Sequence, residues 1–317
     1  METRRTTQGR VLSAVEAEKK VICAVKAFGE WYNASSKPNV IFACLGGSHS
    51  YGFATVESDL DIRGIWMADA EDFFTLNPPT PRETKSTIQK HGEDVDIELQ
   101  ELTKFLSLAL KNNPNILESL FVPKKFILMS SSIYQEIREA MPIILNKDFI
   151  FNAYRGYALQ QFTRMRQQYT DVKIEQESVA VFSPEEYKAK LDELRTQHDR
   201  NDWDSLLQRK ITIDVHRPVP MAERKLNVKN AAHLLRLLAT AEYVLRTGEM
   251  RISPPNKEFI IEVRTGNISW EEIISEKERL ERATEKAYER SVLKGDYQAA
   301  LSWANDFLKR VRKDQLT

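Results

Sequence analysis

Cysteine is scarce in this chain of 317 residues, which contains only Cys23 and Cys44. Two cysteines supply neither a disulfide framework nor a zinc-binding pattern, and such scarcity fits a protein of the reducing cytosol. Cys44 stands in an apolar run, where a small buried side chain is expected. The sequence therefore excludes a disulfide-stabilised scaffold and predicts a cytoplasmic protein.

An excess of charge is also missing, because 46 Lys and Arg residues balance 46 Asp and Glu residues. Broad, charge-driven binding to nucleic acid is disfavoured, whereas a local basic groove is compatible with this balance. No uninterrupted apolar run approaches the roughly 20 residues that span a bilayer, and the charged N-terminal residues do not resemble a signal peptide. We expect no membrane partner, and the sequence does not determine the oligomeric state.

Strand patterns lie mainly in the first half of the chain and become sparse from about residue 148. The apolar residues 40–45, which start with two β-branched side chains, predict a buried strand. Further strands are predicted at about 59–67 and 93–99. Three prolines between positions 78 and 81 predict a loop over 76–87.

Helical patterns occur in both halves and dominate the second. A helix over 11–33 is predicted by five apolar residues near helical spacing, Val11, Val15, Ile22, Val25 and Phe28. A helix face begins at Leu102, and Asn115 is a candidate cap for a helix over 116–121. Further starts are predicted at Ser183-Pro184, at a capping box of Ser269 with Glu272, and at Asp296.

The clearest chemical pattern is a small-residue turn, Gly47-Ser48, followed by Asp59 and Asp61. In an extended strand, residues i and i+2 project from the same face, so the two carboxylates are expected to lie together. Like charges so close need a cation between them, and Mg²⁺ prefers such oxygen ligands. The turn exposes backbone N–H groups suited to the phosphates of a nucleotide.

A second acidic cluster alternates with apolar residues over 93–99. Asp94, Asp96 and Glu98 are expected to share one face of a strand, with the apolar side chains on the other. Asp96 is central and flanked by apolar residues, and we rank it above the other two. Beside Asp59 and Asp61 it would give three carboxylates, which can hold two metal ions for phosphoryl transfer.

These residues resemble the DNA polymerase β-type nucleotidyltransferase superfamily over roughly residues 38–122. Further matches resemble its RNA-repair-pathway branch and extend to about residue 255, whereas residues 166–225 match poorly and look like an expanded segment. The branch matches are Tyr51-Gly52, Arg63-Gly64, Asn113-Pro114-Asn115, Glu118, Lys229, His233 and Arg236.

The resemblance implies an α+β fold, with a polymerase β-type core and small mixed sheet at residues 1–147 and a helical domain at 148–317 that binds substrate or nucleotide. It implies transfer of a nucleoside monophosphate from an NTP to an acceptor hydroxyl, with release of pyrophosphate, two Mg²⁺ ions and an RNA end, such as that of a tRNA, as acceptor. Asp59, Asp61 and Asp96 would be the catalytic, metal-binding residues. The nucleotide-binding residues would be Gly47, Ser48, Arg63, Lys229, His233 and Arg236.

Alternative interpretations stay open at this point. Lys229, His233 and Arg236 share one narrow helix face, which is either a solvated cationic face or a source of cations for the triphosphate. Arg63 either binds the nucleotide or only pairs with a carboxylate. His49 is interpreted as a residue of the turn without a chemical role. The acceptor has the alternatives of a protein or a small molecule, and a non-catalytic nucleotide-binding module is the remaining hypothesis.

Overall fold

A computed structural model describes residues 10–34, 39–76, 83–166, 169–174, 213–218 and 227–317. The chain divides into two units, one formed by Met1–Met165 with Leu226–Thr317 and the other by Arg166–Lys225. The predicted boundary at residue 147 falls inside the first unit and stays a prediction about lobes within it. The second unit coincides with the segment that the sequence indicated as an expansion.

A five-stranded mixed sheet forms the centre of the first unit. Its strands are β1 (Asn39–Leu45), β2 (Leu60–Met67), β3 (Glu83–Lys90), β4 (Glu93–Glu101) and β5 (Ile127–Ser130). They lie in the order β3-β4-β2-β1-β5, and only β2 and β4 run parallel. The parallel register places Asp61 opposite Asp96. Residues paired in this way project from the same face of a sheet.

Helices pack against this sheet and make up most of the described residues after residue 131. The mixed sheet and the helical second half confirm the predicted α+β class. The helices are α1 (Ala14–Ala34), α2 (Gly47–Tyr51), α3 (Leu102–Leu110), α4 (Pro114–Ser119), α5 (Ser132–Glu139), α6 (Met141–Ile144), α7 (Lys147–Arg166), α8 (Val228–Thr247), α9 (Lys257–Arg264), α10 (Trp270–Glu289) and α11 (Tyr297–Gln315).

Helix caps were predicted with mixed success. The capping box of Ser269 and Glu272 at α10 and the Asp296 cap of α11 are confirmed. The cap of α4 is Asn113, whose side chain accepts from two backbone N–H groups, so the assignment to Asn115 was wrong. Pro114 explains the shift, because a proline without an N–H is favoured at the first helical position.

One expectation about the first half was also wrong. The predicted loop over 76–87 overlaps β3, which pairs with β4 along its full length through a two-residue hairpin turn. Both turn residues, His91 and Gly92, have positive φ, as such turns require. Helix α1 confirms the helix predicted over 11–33, although it begins at Ala14. Of the apolar residues that predicted it, Phe28 is buried, whereas Val15, Ile22 and Val25 are about half exposed or more.

The helical part packs together through α8, which is mostly buried and lies against α9 and α10. The last helix is tied to the sheet by Arg312, which donates to Glu101 at 3.3 Å and to Thr103 at 2.7 Å. Glu101 also caps α3 by accepting from the Thr103 backbone N–H. One buried carboxylate thus fixes both the start of α3 and the end of the chain.

The described part of the second unit is a pair of antiparallel strands, β6 (Tyr169–Ile174) and β7 (Ile213–Pro218). The helix start predicted at Ser183-Pro184 lies outside the described residues. Within the described residues, no helix is both long and apolar enough to cross a membrane.

Gly64 controls how closely β2, the strand that carries Asp61, approaches β1. A Cβ at Gly64 would lie 2.2 Å from the Phe42 carbonyl oxygen, which is backbone and has little room to move. We expect Gly64→Ala to lower the free energy of unfolding by about 1–3 kcal/mol or more. Gly29→Ala in α1 is the matched control, because a Cβ there meets nothing within 4 Å. The control should gain about 0.5–1 kcal/mol. Urea unfolding measures both, and equal changes would contradict this account.

Candidate active site

A cleft of about 520 Å³ lies where the segment from Gly46 to Arg63 approaches α4, α8 and α9. Eight of the nine residues that the sequence analysis assigned to a site line this one cleft, although they are up to 189 positions apart (Gly47 to Arg236). Asp96 is the exception and is not part of the cleft wall. The eight are Gly47, Ser48, Asp59, Asp61, Arg63, Lys229, His233 and Arg236.

The Gly47-Ser48 turn opens the short helix α2 and is held against β2. The Gly46 N–H donates to the Asp61 carbonyl oxygen at 2.7 Å. Gly47 has a φ of +58°, and a Cβ there would lie 2.2 Å from Oδ2 of Asp61. Only glycine therefore allows the turn to touch this carboxylate. Because the first N–H groups of a helix have no partner inside it, the turn offers backbone donors beside Asp61.

The three predicted metal ligands differ in their surroundings. Asp61 lies on β2 opposite Asp96 on β4. Asp59 precedes the strand, is exposed and lines the cleft. The side chains of Asp59 and Asp96 accept no hydrogen bond and form no ion pair within the described part of the chain. Unpaired carboxylates beside a third carry repulsion that a cation would relieve.

The described residues contain no group of three His, Cys, Asp or Glu side chains that could hold a metal ion by itself. A hard cation such as Mg²⁺ is usually bound by one or two carboxylates and completed by substrate phosphates. Asp59 and Asp61 have the right donor chemistry and line the same cleft, with Asp61 beside the Gly47-Ser48 donors. An arrangement of three carboxylates and two ions stays a prediction.

Arg63 neutralises the polar face of the sheet beside the cleft. Its guanidinium donates to Oδ1 of Asp61 at 3.2 Å and to Oε2 of Glu98 on the neighbouring strand. The pairing with carboxylates that the sequence left open is therefore present. A contact between Arg63 and a nucleotide stays a prediction.

The back of the cleft is a buried cluster of Tyr51, Glu118 and Arg236. The Glu118 and Arg236 side chains are only 3% and 1% exposed, and Nη1 of Arg236 donates to Oε2 of Glu118 at 2.5 Å. The Tyr51 hydroxyl donates to the same oxygen at 2.5 Å, and the guanidinium lies 4.0 Å from the Tyr51 ring centroid. This cluster joins α2 and α4 to α8.

The ionisation of this cluster follows from its burial. Burial raises the pKa of the Tyr51 hydroxyl, which therefore stays protonated and donates to Glu118. Burial disfavours the charged guanidinium, but the Glu118 charge outweighs it and leaves the pKa of Arg236 above its usual value. Arg236 is thus a permanent cation committed to Glu118.

Several buried polar atoms around this cluster have no hydrogen-bond partner among the described residues. They include Oε1 of Glu118, Nη2 of Arg236 and Nε2 of His233, and all three residues line the cleft. Buried polar groups are almost always paired with protein, water or ligand. The back wall therefore offers spare donors and acceptors to a bound molecule or to water.

His233 is a neutral imidazole in this setting. Burial, followed by the positive charges of Arg236, Arg164 and Lys229, lowers the pKa of His233 to about 3. Of the three cations that the sequence placed on one helix face, Arg236 is bonded to Glu118 and His233 is uncharged at neutral pH. Only Lys229 is an exposed cation.

Arg264, the last residue of α9, lines the cleft and was not predicted. Its Nε is buried without a partner among the described residues, and burial lowers the pKa of Arg264, partly offset by the charge of Glu57. A basic residue in the last turn of a helix commonly serves the helix dipole. Sequence alone therefore gave no reason to single it out.

The chain is similar to a known protein family over nearly its whole length. The family described as "RlaP: RNA repair pathway DNA polymerase beta family" matches residues 5–316. This match confirms the resemblance that the residue pattern indicated.

Individual relatives match smaller parts. A phage T4 protein, "Uncharacterized 38.9 kDa protein in nrdC-mobD intergenic region", is 34% identical over 87 residues, which are 26% of each chain. "Uncharacterized protein YcgL" of Bacillus subtilis (strain 168) is 29% identical over 104 residues, 32% of this chain and 36% of that protein. The chain thus matches only about a quarter to a third of these curated relatives.

A solved structure, that of a nucleotidyltransferase-like protein from Exiguobacterium sibiricum 255-15, is also similar. It is 12% identical, with 92% of this chain and 77% of that chain covered and a TM-score of 0.29.

The Glu118–Arg236 pair gives a stability prediction. Glu118→Gln leaves a buried guanidinium without its counter-ion, and we expect the free energy of unfolding to fall by about 3–5 kcal/mol. The double variant Glu118→Gln with Arg236→Met removes the stranded charge and should recover most of that loss. The control Glu242→Gln, which removes an i,i+4 partner of Arg246, should change stability by about 0.5 kcal/mol or less. Urea unfolding measures these changes. A loss of stability in Glu118→Gln as small as that in Glu242→Gln would contradict the prediction.

His233 gives a pH prediction. Its folded-state pKa of about 3 lies below the ordinary 6.5, so the unfolded chain binds a proton that the folded chain does not. The free energy of unfolding should therefore fall as the pH falls from about 6.5 towards 3. His233→Gln lacks this contribution and should lose less stability over the same range. Urea titrations between pH 7 and pH 4 measure the difference, and parallel curves would refute it.

Proposed function

We propose that this chain, which belongs to the RNA repair pathway DNA polymerase beta family, is a nucleotidyltransferase that moves a nucleoside monophosphate from an NTP to an acceptor hydroxyl. The acceptor oxygen bonds to the α-phosphorus and loses its proton. The bond from that phosphorus to the oxygen bridging to the β-phosphate breaks, and pyrophosphate leaves. The observation that carries this proposal is the single cleft in which the Gly47-Ser48 turn, Asp59 and Asp61 meet Lys229 and His233.

In this proposal each part of the cleft has a separate task. Backbone N–H groups at Gly47 and Ser48 bind phosphate oxygens beside Asp61. Asp59 and Asp61 hold Mg²⁺, which when bound offsets the negative charge that develops on the transferred phosphoryl group. Lys229 adds a positive charge at the open side. The neutral His233 can donate or accept a hydrogen bond with an uncharged part of the nucleotide.

Asp96 is proposed as the third carboxylate. It projects from the same sheet face as Asp61 and has no partner within the described part of the chain. A free carboxylate in this position can accept the proton of the attacking hydroxyl or ligate a second ion. Binding of a second ion would require Asp96, whereas binding of one ion by Asp59 and Asp61 would not.

The proposed acceptor is the end of an RNA, on the ground of the family's pathway. Near-zero net charge favours a limited contact with RNA over an extended one, and it leaves a protein or small-molecule acceptor as the competing outcome. The cytoplasmic location also stays a prediction.

The direct test incubates the full chain with each α-³²P-labelled NTP, Mg²⁺ and a mixed pool of cellular RNA and protein. We expect label in the RNA fraction and release of pyrophosphate. Label in protein or in a small molecule would keep the chemistry and replace the acceptor. Metal-independent NTP binding without pyrophosphate release would support the non-catalytic alternative and overturn the proposal.

Carboxylate variants test the metal-binding assignment. Asp59→Asn and Asp61→Asn should each lower transfer by at least about 10²-fold, the loss that follows removal of one electrostatic contact to a transition state. Asp69→Asn is the matched control, because Asp69 is an exposed carboxylate just beyond the same strand and outside the cleft wall. Thermal unfolding verifies that the variants fold. Full transfer by both site variants would refute the assignment.

A further inference from the structure

Arg264 is a partly buried cation for which the described residues provide no bonded partner. Its Nε is buried without a hydrogen bond, and its side chain lines the cleft. Glu57 is the carboxylate that influences it electrostatically, but the two form no ion pair. A desolvated guanidinium without a partner costs free energy, and a bound anion would offset that cost.

The other guanidiniums of the cleft are already engaged. Arg63 and Arg236 are bonded to carboxylates. Lys229 is exposed and pairs with no carboxylate in the described part of the chain. The cations of the cleft that are available to a ligand are therefore Lys229 and Arg264, and two such charges suit a ligand with several negative charges.

We propose that Arg264 binds the terminal phosphates of the nucleotide. This inference rests on the proposed function and adds to it a residue that fixes the triphosphate. Asp59 and Asp61 define where the α-phosphate must lie for transfer, and they line the cleft from the segment Gly46 to Arg63, whereas Arg264 lines it from the end of α9. The terminal phosphates are the part of the nucleotide that remains for Arg264. Its planar guanidinium can bind two phosphate oxygens at once.

Calorimetry with Mg²⁺ present tests this proposal on the full chain, using ATP, AMP and inorganic tripolyphosphate as probes. We expect Arg264→Gln to raise the Kd of ATP and of tripolyphosphate at least about tenfold, as loss of a charge-assisted contact does. The Kd of AMP should change less than about twofold, because AMP lacks the terminal phosphates. Arg282→Gln, an exposed arginine near Glu278 on α10, should leave all three affinities unchanged.

Two further variants separate binding from structure. Arg264→Lys keeps the charge and should retain part of the affinity lost in Arg264→Gln. Glu57→Gln should leave ATP affinity unchanged or tighter. If Arg264 served only to hold Glu57, Glu57→Gln would reproduce the loss seen in Arg264→Gln, and the proposal would be overturned. Unchanged ATP and tripolyphosphate affinities in Arg264→Gln would overturn it as well.

The transferase activity and this inference fail separately. Asp61→Asn should lower transfer at least about 10²-fold yet keep the Arg264-dependent binding of tripolyphosphate. A wild-type protein that transfers nucleotide while Arg264→Gln binds ATP normally refutes only the inference. A wild-type protein that binds tripolyphosphate through Arg264 but transfers nothing refutes only the function. A wild-type protein that binds neither ATP nor tripolyphosphate refutes the inference outright.

Discussion

The buried pair of Glu118 and Arg236 is the interaction on which the cleft depends. Placing a guanidinium at 1% exposure costs several kcal/mol of lost hydration, and only a bonded counter-ion offsets it. Glu118 supplies that charge from α4, while the Tyr51 ring from α2 covers the guanidinium. Three helices from distant parts of the sequence must therefore meet at one point for the charge to be tolerated. The position of the Gly47-Ser48 turn relative to α8 follows from this requirement.

Charge is distributed unevenly around that fixed centre. On the sheet side, Asp59 and Asp96 have no partner within the described part of the chain, and Asp61 shares Arg63 with Glu98. On the helical side, Lys229 and Arg264 are cations without carboxylate partners among the described residues. A molecule that brings a divalent cation to the first side and several negative charges to the second would satisfy both. A nucleoside triphosphate with its metal ion has this pattern of charge.

Most of this arrangement was accessible from the sequence because its determinants are local. The alternation over 93–99 and the apolar run over 40–45 predicted strands that formed, since each presents a face for burial. The loop predicted from the prolines before Glu83 extended too far along the chain. The start of β3 is set by its pairing with β4 across the His91-Gly92 turn, which the prolines do not reveal. Arg264 could not be found from sequence, because its lack of a partner is a property of the assembled cleft. Similarly, the helical spacing of Arg236 suggested a free cation, and only its contact with Glu118 revealed that it is bonded.

The most direct measurement is a crystal structure of the full chain with Mn²⁺ and an ATP analogue whose α,β-bridging oxygen is replaced by a methylene group. The account predicts an anomalous Mn²⁺ peak in contact with the carboxylates of Asp59 and Asp61. It also predicts the α-phosphate beside the Gly47-Ser48 turn and the terminal phosphates against Arg264. A nucleotide bound outside this cleft, or a metal ion that contacts neither carboxylate, would contradict it.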